Sequence, residues 1–242
     1  MMRRTLAFAK RNVKEVIREP LSIIFLFALP LVMLVAFYFL FGAMTDQFQM
    51  RYLAPGIVSF GGSFLSLFVG MLIASDRGTA FLVRLFTTPL RPYEYIGGYI
   101  AATLPLAIVQ SALFFAVATI IDTTFFGAGL FLAMLANLLV SLLYIGFGIL
   151  FGSICNERSI GGCCSILITG QSVLSGMWFP PEGLSEGFVA VMDALPFRNA
   201  TVFLQSACAG EGEILRPMLV LVAYTVVVTV LATFVFAKKM KQ

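Results

Sequence analysis

Residues able to do chemistry are scarce in this chain, and the most concentrated group is Asp76-Arg77-Gly78-Thr79, set between two long apolar stretches. There is no His, which removes Ser-His catalysis, His proton relays and most zinc sites. No Lys lies inside an apolar stretch to serve as base for a Ser-Lys dyad, and Asp122 and Asp193 sit at the margins of such stretches, not at their centres. Cys155, Cys163 and Cys164 lie near one predicted membrane surface and Cys208 toward the other, a split that argues for packing residues over a disulfide framework. No G-x-x-x-x-G-K-[ST] loop occurs, so no nucleotide site is expected. The chain is therefore expected to hold no catalytic residues, no metal and no cofactor of its own.

The elements that position the charged group are six stretches free of Asp, Glu, Lys and Arg, at 20–45, 52–75, 95–121, 123–156, 159–181 and 217–237. About 20 apolar residues carry a helix across a bilayer, so each stretch is long enough. The expected spans are 21–43, 53–74, 96–121, 129–154, 160–180 and 217–237, in one transmembrane domain covering 1–242. Hydrophobic residues make up 60% and charged residues 12%, with mean hydropathy +0.99, too apolar for a soluble globule. Of 16 Lys and Arg, 13 fall before the first stretch, between the second and third, between the fourth and fifth, or after the last. The positive-inside rule makes that side cytoplasmic and puts both termini there. The basic excess reflects orientation and anionic lipid, with no nucleic-acid partner expected. The basic region before the first stretch is too long, and that stretch too extended, for a signal peptide, so an uncleaved first span is expected.

Two cytoplasmic segments carry an amphipathic pattern. Residues 3–18, which include Lys10, place Leu6, Ala9, Val13 and Val16/Ile17 on one stripe, with Arg4, Arg11, Lys14 and Arg18 largely off it, as in a basic amphipathic helix lying in the headgroup region. Pro20 breaks it before the first span. In the connection 75–94, Leu82, Leu85 and Phe86 share a helical face that Thr88-Pro89 and Pro92 terminate. A short rigid helix anchored in two spans is suited to transmitting force. On the outer side, 181–211 is too long for a turn, yet its charge-free part is too short to span. It is expected to form a helical hairpin dipping into the outer leaflet, with Gly176, Phe179, Pro180, Leu195 and Pro196 as a candidate outer gate. Glycines at 146, 148, 152, 161, 162, 170 and 176 permit close helix approach. Gln110, Asn137, Ser141, Thr169 and Gln171 are the polar residues expected at membrane depth.

At these motifs the chain resembles the membrane subunit of a type 2 ABC exporter, the permease family that includes drug, polysaccharide and teichoic acid exporters. Arg18-Glu19-Pro20-Leu21 with Leu29-Pro30-Leu31 resembles the family's start. Asp76-Arg77-Gly78-Thr79 followed by Leu82, Leu85 and Thr88-Pro89 resembles its Glu-Arg-Gly-Thr and Thr-Pro loop, and Leu174-Ser175-Gly176-Met177-Trp178-Phe179-Pro180 with Leu195-Pro196 resembles the pattern before its last span. Asp76 stands where Glu is usual, Phe81 where an acid is common, and Arg198-Asn199 where Thr-Tyr is usual.

The resemblance implies a coupling helix at 76–89 seated on a separate nucleotide-binding ATPase subunit, an interface helix at the amino terminus, and ATP with Mg bound in that partner. It implies six spans as half of a translocation unit completed by a second copy or a related permease. The expectation is an all-α permease in the plasma membrane of a prokaryote, contacting membrane lipids and exporting an amphipathic substrate: a drug or antibiotic, a lipid or a lipid-linked glycan. The alternatives are an ATP-independent channel or ion-coupled carrier, and an assembly subunit without transport.

Overall fold

A computed structural model describes residues 11–13, 23–78 and 92–239. Eight α-helices follow one another there: α1 Leu29–Phe41, α2 Met50–Gly78, α3 Pro92–Ile121, α4 Gly129–Ile154, α5 Ile160–Leu174, α6 Glu186–Ala194, α7 Pro196–Ala209 and α8 Leu215–Lys239. A π-turn at Ile24–Ala28 precedes α1, and no strand occurs among the described residues. The chain is an all-α membrane protein. Five helical segments are long and apolar enough to cross a bilayer, Ile24–Phe41, Met50–Gly78, Glu94–Ile121, Gly129–Ile154 and Leu215–Phe236; a sixth would be the bent pair α6–α7.

The fifth apolar stretch departs from its expected bounds of 160–180. Helix α5 stops at Leu174 after 15 residues, because Gly176 takes φ +73°, a left-handed conformation that costs glycine little. The following residues to Pro180 are not helical.

Helix α2 is the axis of the bundle, and nearly all of its apolar part is buried. It packs on α4, α5, α3, α7 and α1, while α8 packs mainly on α4 and α7. Glycine makes the α2–α4 contact possible: a Cβ on Gly148 would stand 2.6 Å from the Ser66 carbonyl oxygen, and one on Gly152 2.8 Å from that of Gly70. The two backbones therefore touch, as small residues allow in membranes. Gly161 and Gly162, by contrast, have nothing within 4 Å of a Cβ. The outer face of α8 exposes Val226, Val227, Val230, Leu231 and Phe234, a purely apolar surface suited to lipid.

Proline shapes α1. Pro30 has no N–H for the carbonyl of Leu26, the acceptor four residues earlier in an α-helix. Gln110 of α3 supplies the donor, with Nε2 at 2.5 Å from that carbonyl oxygen. A second buried amide, Gln171 of α5, donates to Ser59 of α2 at 2.9 Å and accepts from the Tyr144 hydroxyl of α4, with Thr201 of α7 at 3.5 Å. Every polar atom of this amide is used, as burial in an apolar bundle requires.

Candidate functional site

The carboxyl end of α2 gathers the charges that the sequence singles out. Asp76 and Arg77 lie in its last turn, and Gly78 closes the helix. Gly78 is helical and does not form the tight turn that its position beside a loop suggests; its φ is not positive. The two charged side chains diverge, because successive residues on a helix point about 100° apart.

Asp76 turns inward and is 1% exposed. Its Oδ1 accepts from Arg11 at 2.6 Å and its Oδ2 from the Tyr99 hydroxyl at 2.7 Å. Three segments thus meet on one carboxylate: the helical residues 11–13, the end of α2 and the start of α3. A charge buried to this degree is stable only when paired and hydrogen-bonded, and both conditions hold. Arg11 also donates to Asn12 at 3.3 Å.

Arg77 turns toward α4. Its Nη1 lies 2.9 Å from the Gly152 carbonyl oxygen, 2.5 Å from that of Ser153 and 3.3 Å from that of Cys155. These are carbonyls a helix leaves without donors at its C-terminus, and a cation there also meets the negative end of the helix dipole. The guanidinium is therefore engaged within the chain. Arg77, Gly78, Cys155, Asn156, Glu157 and Arg158 line a cavity of about 330 Å³ beside this contact.

Asp76, Arg77 and Gly78 are thus placed together, each with a neighbour in the bundle. Thr79, Leu82, Leu85, Thr88 and Pro89 lie outside the described residues, as do Leu6, Lys10, Lys14 and Ile17 of the amino-terminal segment. Val13 is half-buried in the short helical piece with Arg11. Two partners of the charged group were not singled out from sequence. Tyr99 stands in an otherwise apolar stretch, and a hydroxyl facing back toward Asp76 from the next helix is the only signal it gives. Arg11 was one base among many in the amino-terminal segment.

At the opposite end of the bundle, the non-helical backbone after α5 is held by Gln47. Its Nε2 donates to the carbonyls of Gly176 at 2.9 Å and Met177 at 2.6 Å, while the Met177 N–H donates to Ser175 Oγ at 3.1 Å. Trp178 then stacks into an aromatic group, its ring 4.3 Å from that of Phe37, with Phe48 and Phe60 at 6.3 and 6.2 Å. Phe179 and Pro180 are exposed, whereas Pro196 is buried.

Helices α6 and α7 bend by 78° at Leu195. Leu195 is extended at φ −86°, ψ 154°, since a following proline disfavours helix at the preceding residue. Asn199 caps the break by donating to the carbonyls of Asp193 and Leu195 at 2.8 and 2.7 Å, and Arg198 pairs with Asp193. The Arg198-Asn199 pair, unusual at this place in the resembled pattern, therefore has a local task. A cavity of about 520 Å³ opens between this hairpin and the α1–α2 connection, lined among others by Gln47, Gly176, Pro180, Glu182 and Arg198.

Among the described residues no group of three or more His, Cys, Asp or Glu stands close enough to hold a metal. A comparison with protein families finds a match to the family described as ABC-2 type transporter over residues 3–208. No curated protein matches the chain.

Proposed function

This chain belongs to the ABC-2 type transporter family and is a permease subunit, and from that premise we propose that it moves an amphipathic substrate outward using ATP hydrolysed, with Mg, on a separate subunit. The observation that carries the proposal is the junction at Asp76 and Arg77. A force applied to the connection 79–91 would enter the bundle at the end of α2, its most buried helix. Asp76 would pass it to the amino-terminal segment and α3, and Arg77 to α4.

In this reading Asp76, Arg77, Gly78, Thr79, Leu82, Leu85, Thr88 and Pro89 form the coupling element, and Leu6, Lys10, Val13, Lys14 and Ile17 belong to an interface helix beside it. Leu82 and Leu85 fill a groove of the ATPase. Gly176, Phe179, Pro180, Leu195 and Pro196 border the outward exit. A second copy of this chain, or a related permease, completes the pathway. The exposed side of α5 supports this, since Gly161, Gly162, Ser165 and Thr169 lie on it beside Ile166 and Val173, a surface with more small and polar residues than the lipid-suited face of α8. The setting is the plasma membrane of a prokaryote with both termini cytoplasmic, and the substrate is a drug or antibiotic, a lipid or a lipid-linked glycan.

The test is a mild-detergent purification of the tagged chain from its native membrane with mass spectrometry of its companions. A stoichiometric Walker-motif ATPase is expected, lost in a Leu82→Asp, Leu85→Asp variant that still inserts. Reproducible absence of an ATPase, together with substrate flux in vesicles without ATP, would overturn the proposal in favour of a channel or carrier.

A further inference from the structure

We propose that Cys155 and Cys163 are a redox-active dithiol that a low-molecular-weight disulfide converts to an intrachain disulfide. Their sulfur atoms lie 2.9 Å apart, eight residues along the chain, against about 2.05 Å in the bonded state. Closing that gap needs side-chain movement of about 1 Å.

The turn between them is already fixed. Cys155 caps α4 in an extended conformation, and Cys163 lies in the first turn of α5 with its N–H on the Ser159 carbonyl at 3.2 Å. Between them, Asn156 Oδ1 accepts from the Ser159 N–H at 3.0 Å, and Ser159 Oγ accepts from the Asn156 N–H at 3.1 Å. Reciprocal bonds of this kind hold the two cysteines in register before any covalent tie forms.

Access and selectivity follow from the surroundings. Both cysteines are half-buried, and the 330 Å³ cavity reaches Cys155 past Arg77, Asn156 and Arg158. Arg77 and Arg158 line the cavity together with Glu157, a lining of net positive charge that suits an anionic reagent such as glutathione disulfide. The adjacent Cys164 is buried and faces elsewhere, its sulfur 4.0 Å from the Ser66 carbonyl oxygen of α2.

The exchange balances in two steps. The thiolate of one cysteine attacks a sulfur of the reagent, breaking its S–S bond and expelling one thiolate, which takes up the proton the cysteine lost. The second cysteine, as thiolate, attacks the protein sulfur of the mixed disulfide and expels the other reagent thiolate, likewise protonated. Two protein thiols are oxidised to one disulfide, and one reagent disulfide is reduced to two thiols. The tie would fasten the end of α4 to α5 at the turn on which Arg77 rests.

The test uses the full chain in lipid nanodiscs, treated with glutathione disulfide, then denatured, with free thiols counted by a maleimide polymer and linked peptides identified by mass spectrometry. The expected result is a fall from four free thiols to two with a Cys155–Cys163 peptide link, and in Cys164→Ala the same link with a fall from three thiols to one. Cys155→Ser and Cys163→Ser should each form no intrachain link. Four thiols remaining, a persistent glutathione adduct on Cys155 or Cys163, or a link through Cys164 or Cys208 would each overturn the proposal. The wild-type count decides the matter even where a serine variant fails to fold.

Discussion

The Arg11 guanidinium lies 2.6 Å from the Asp76 carboxylate across 65 residues of sequence, and it reaches a side chain that is 1% exposed. Asp76→Asn keeps the shape and removes the charge. The loss should be at most about 2 kcal/mol, below the range for a fully buried pair because a third of the Arg11 side chain meets solvent. Tyr99→Phe should cost about 1.5 kcal/mol by removing one donor to the carboxylate. Thermal unfolding in detergent checks both, and additive losses in the double variant would show that Asp76 and Tyr99 contribute independently of their shared hydrogen bond.

Arg77 supports α4 by contact with three carbonyl oxygens. Arg77→Gln should expose the end of that helix, and Arg77→Lys should do so less, since an ammonium keeps the favourable charge but loses the planar fork. Hydrogen exchange over 150–155 is the measurement. Faster exchange in the order Gln, Lys, wild type is expected, and unchanged exchange would show that the cap carries no energy.

The Gln171 amide joins α2, α4 and α5 in the core. Gln171→Leu leaves the Ser59 and Tyr144 hydroxyls without this partner and should cost about 1–2 kcal/mol, at the upper end for hydrogen bonds between membrane helices. Tyr144→Phe alone should cost less. The double variant should lose less than the sum, because the second change removes a group the first left unsatisfied. Additive losses in a thermal melt would mean that the two residues act separately.

Oxidation of the dithiol should accelerate with pH. Burial, and then the neighbouring Cys163 thiol, push the Cys155 thiol above the ordinary thiol range, and the thiolate is the attacking form. Below its pKa the thiolate fraction rises about tenfold per pH unit. Stopped-time alkylation between pH 7 and 9 should therefore show closure from a mixed disulfide on Cys163 still rising at the upper limit. A plateau near pH 8 would show that Cys155 is not the attacking group in that step.

The helices were legible where one signal dominated. Charge-free stretches of sufficient length marked α2, α3, α4 and α8, because a bilayer admits few other structures for such sequence. The charged group at the end of α2 was legible as a place, Asp76-Arg77-Gly78, but its wiring was not. Whether a charge at a helix end faces a partner protein or its own bundle depends on the rotation of the helix, and α2 turns Asp76 and Arg77 both inward. The end of α5 was missed for a similar reason. Residues 175–180 are apolar enough to continue a span, and only the backbone conformation of Gly176 ends it.

Pro30 shows what a fuller use of the sequence could yield, since a proline inside an apolar helix announces an unpaired carbonyl four residues earlier. Here that acceptor belongs to Leu26, and Gln110 meets it from α3. The same amide nitrogen lies 3.4 Å from the Gly61 carbonyl oxygen, and a Cβ on Gly61 would come within 2.8 Å of it, so the site admits little else. Gln110→Leu should leave the Leu26 carbonyl without its donor in a dry environment and cost about 1–2 kcal/mol. In a Pro30→Ala background the restored N–H can serve that carbonyl along the helix, and the same substitution should cost less than half as much. A double-mutant cycle in thermal melts measures the difference. Equal losses in both backgrounds would separate Gln110 from the proline, leaving its side chain a packing role between α1, α2 and α3.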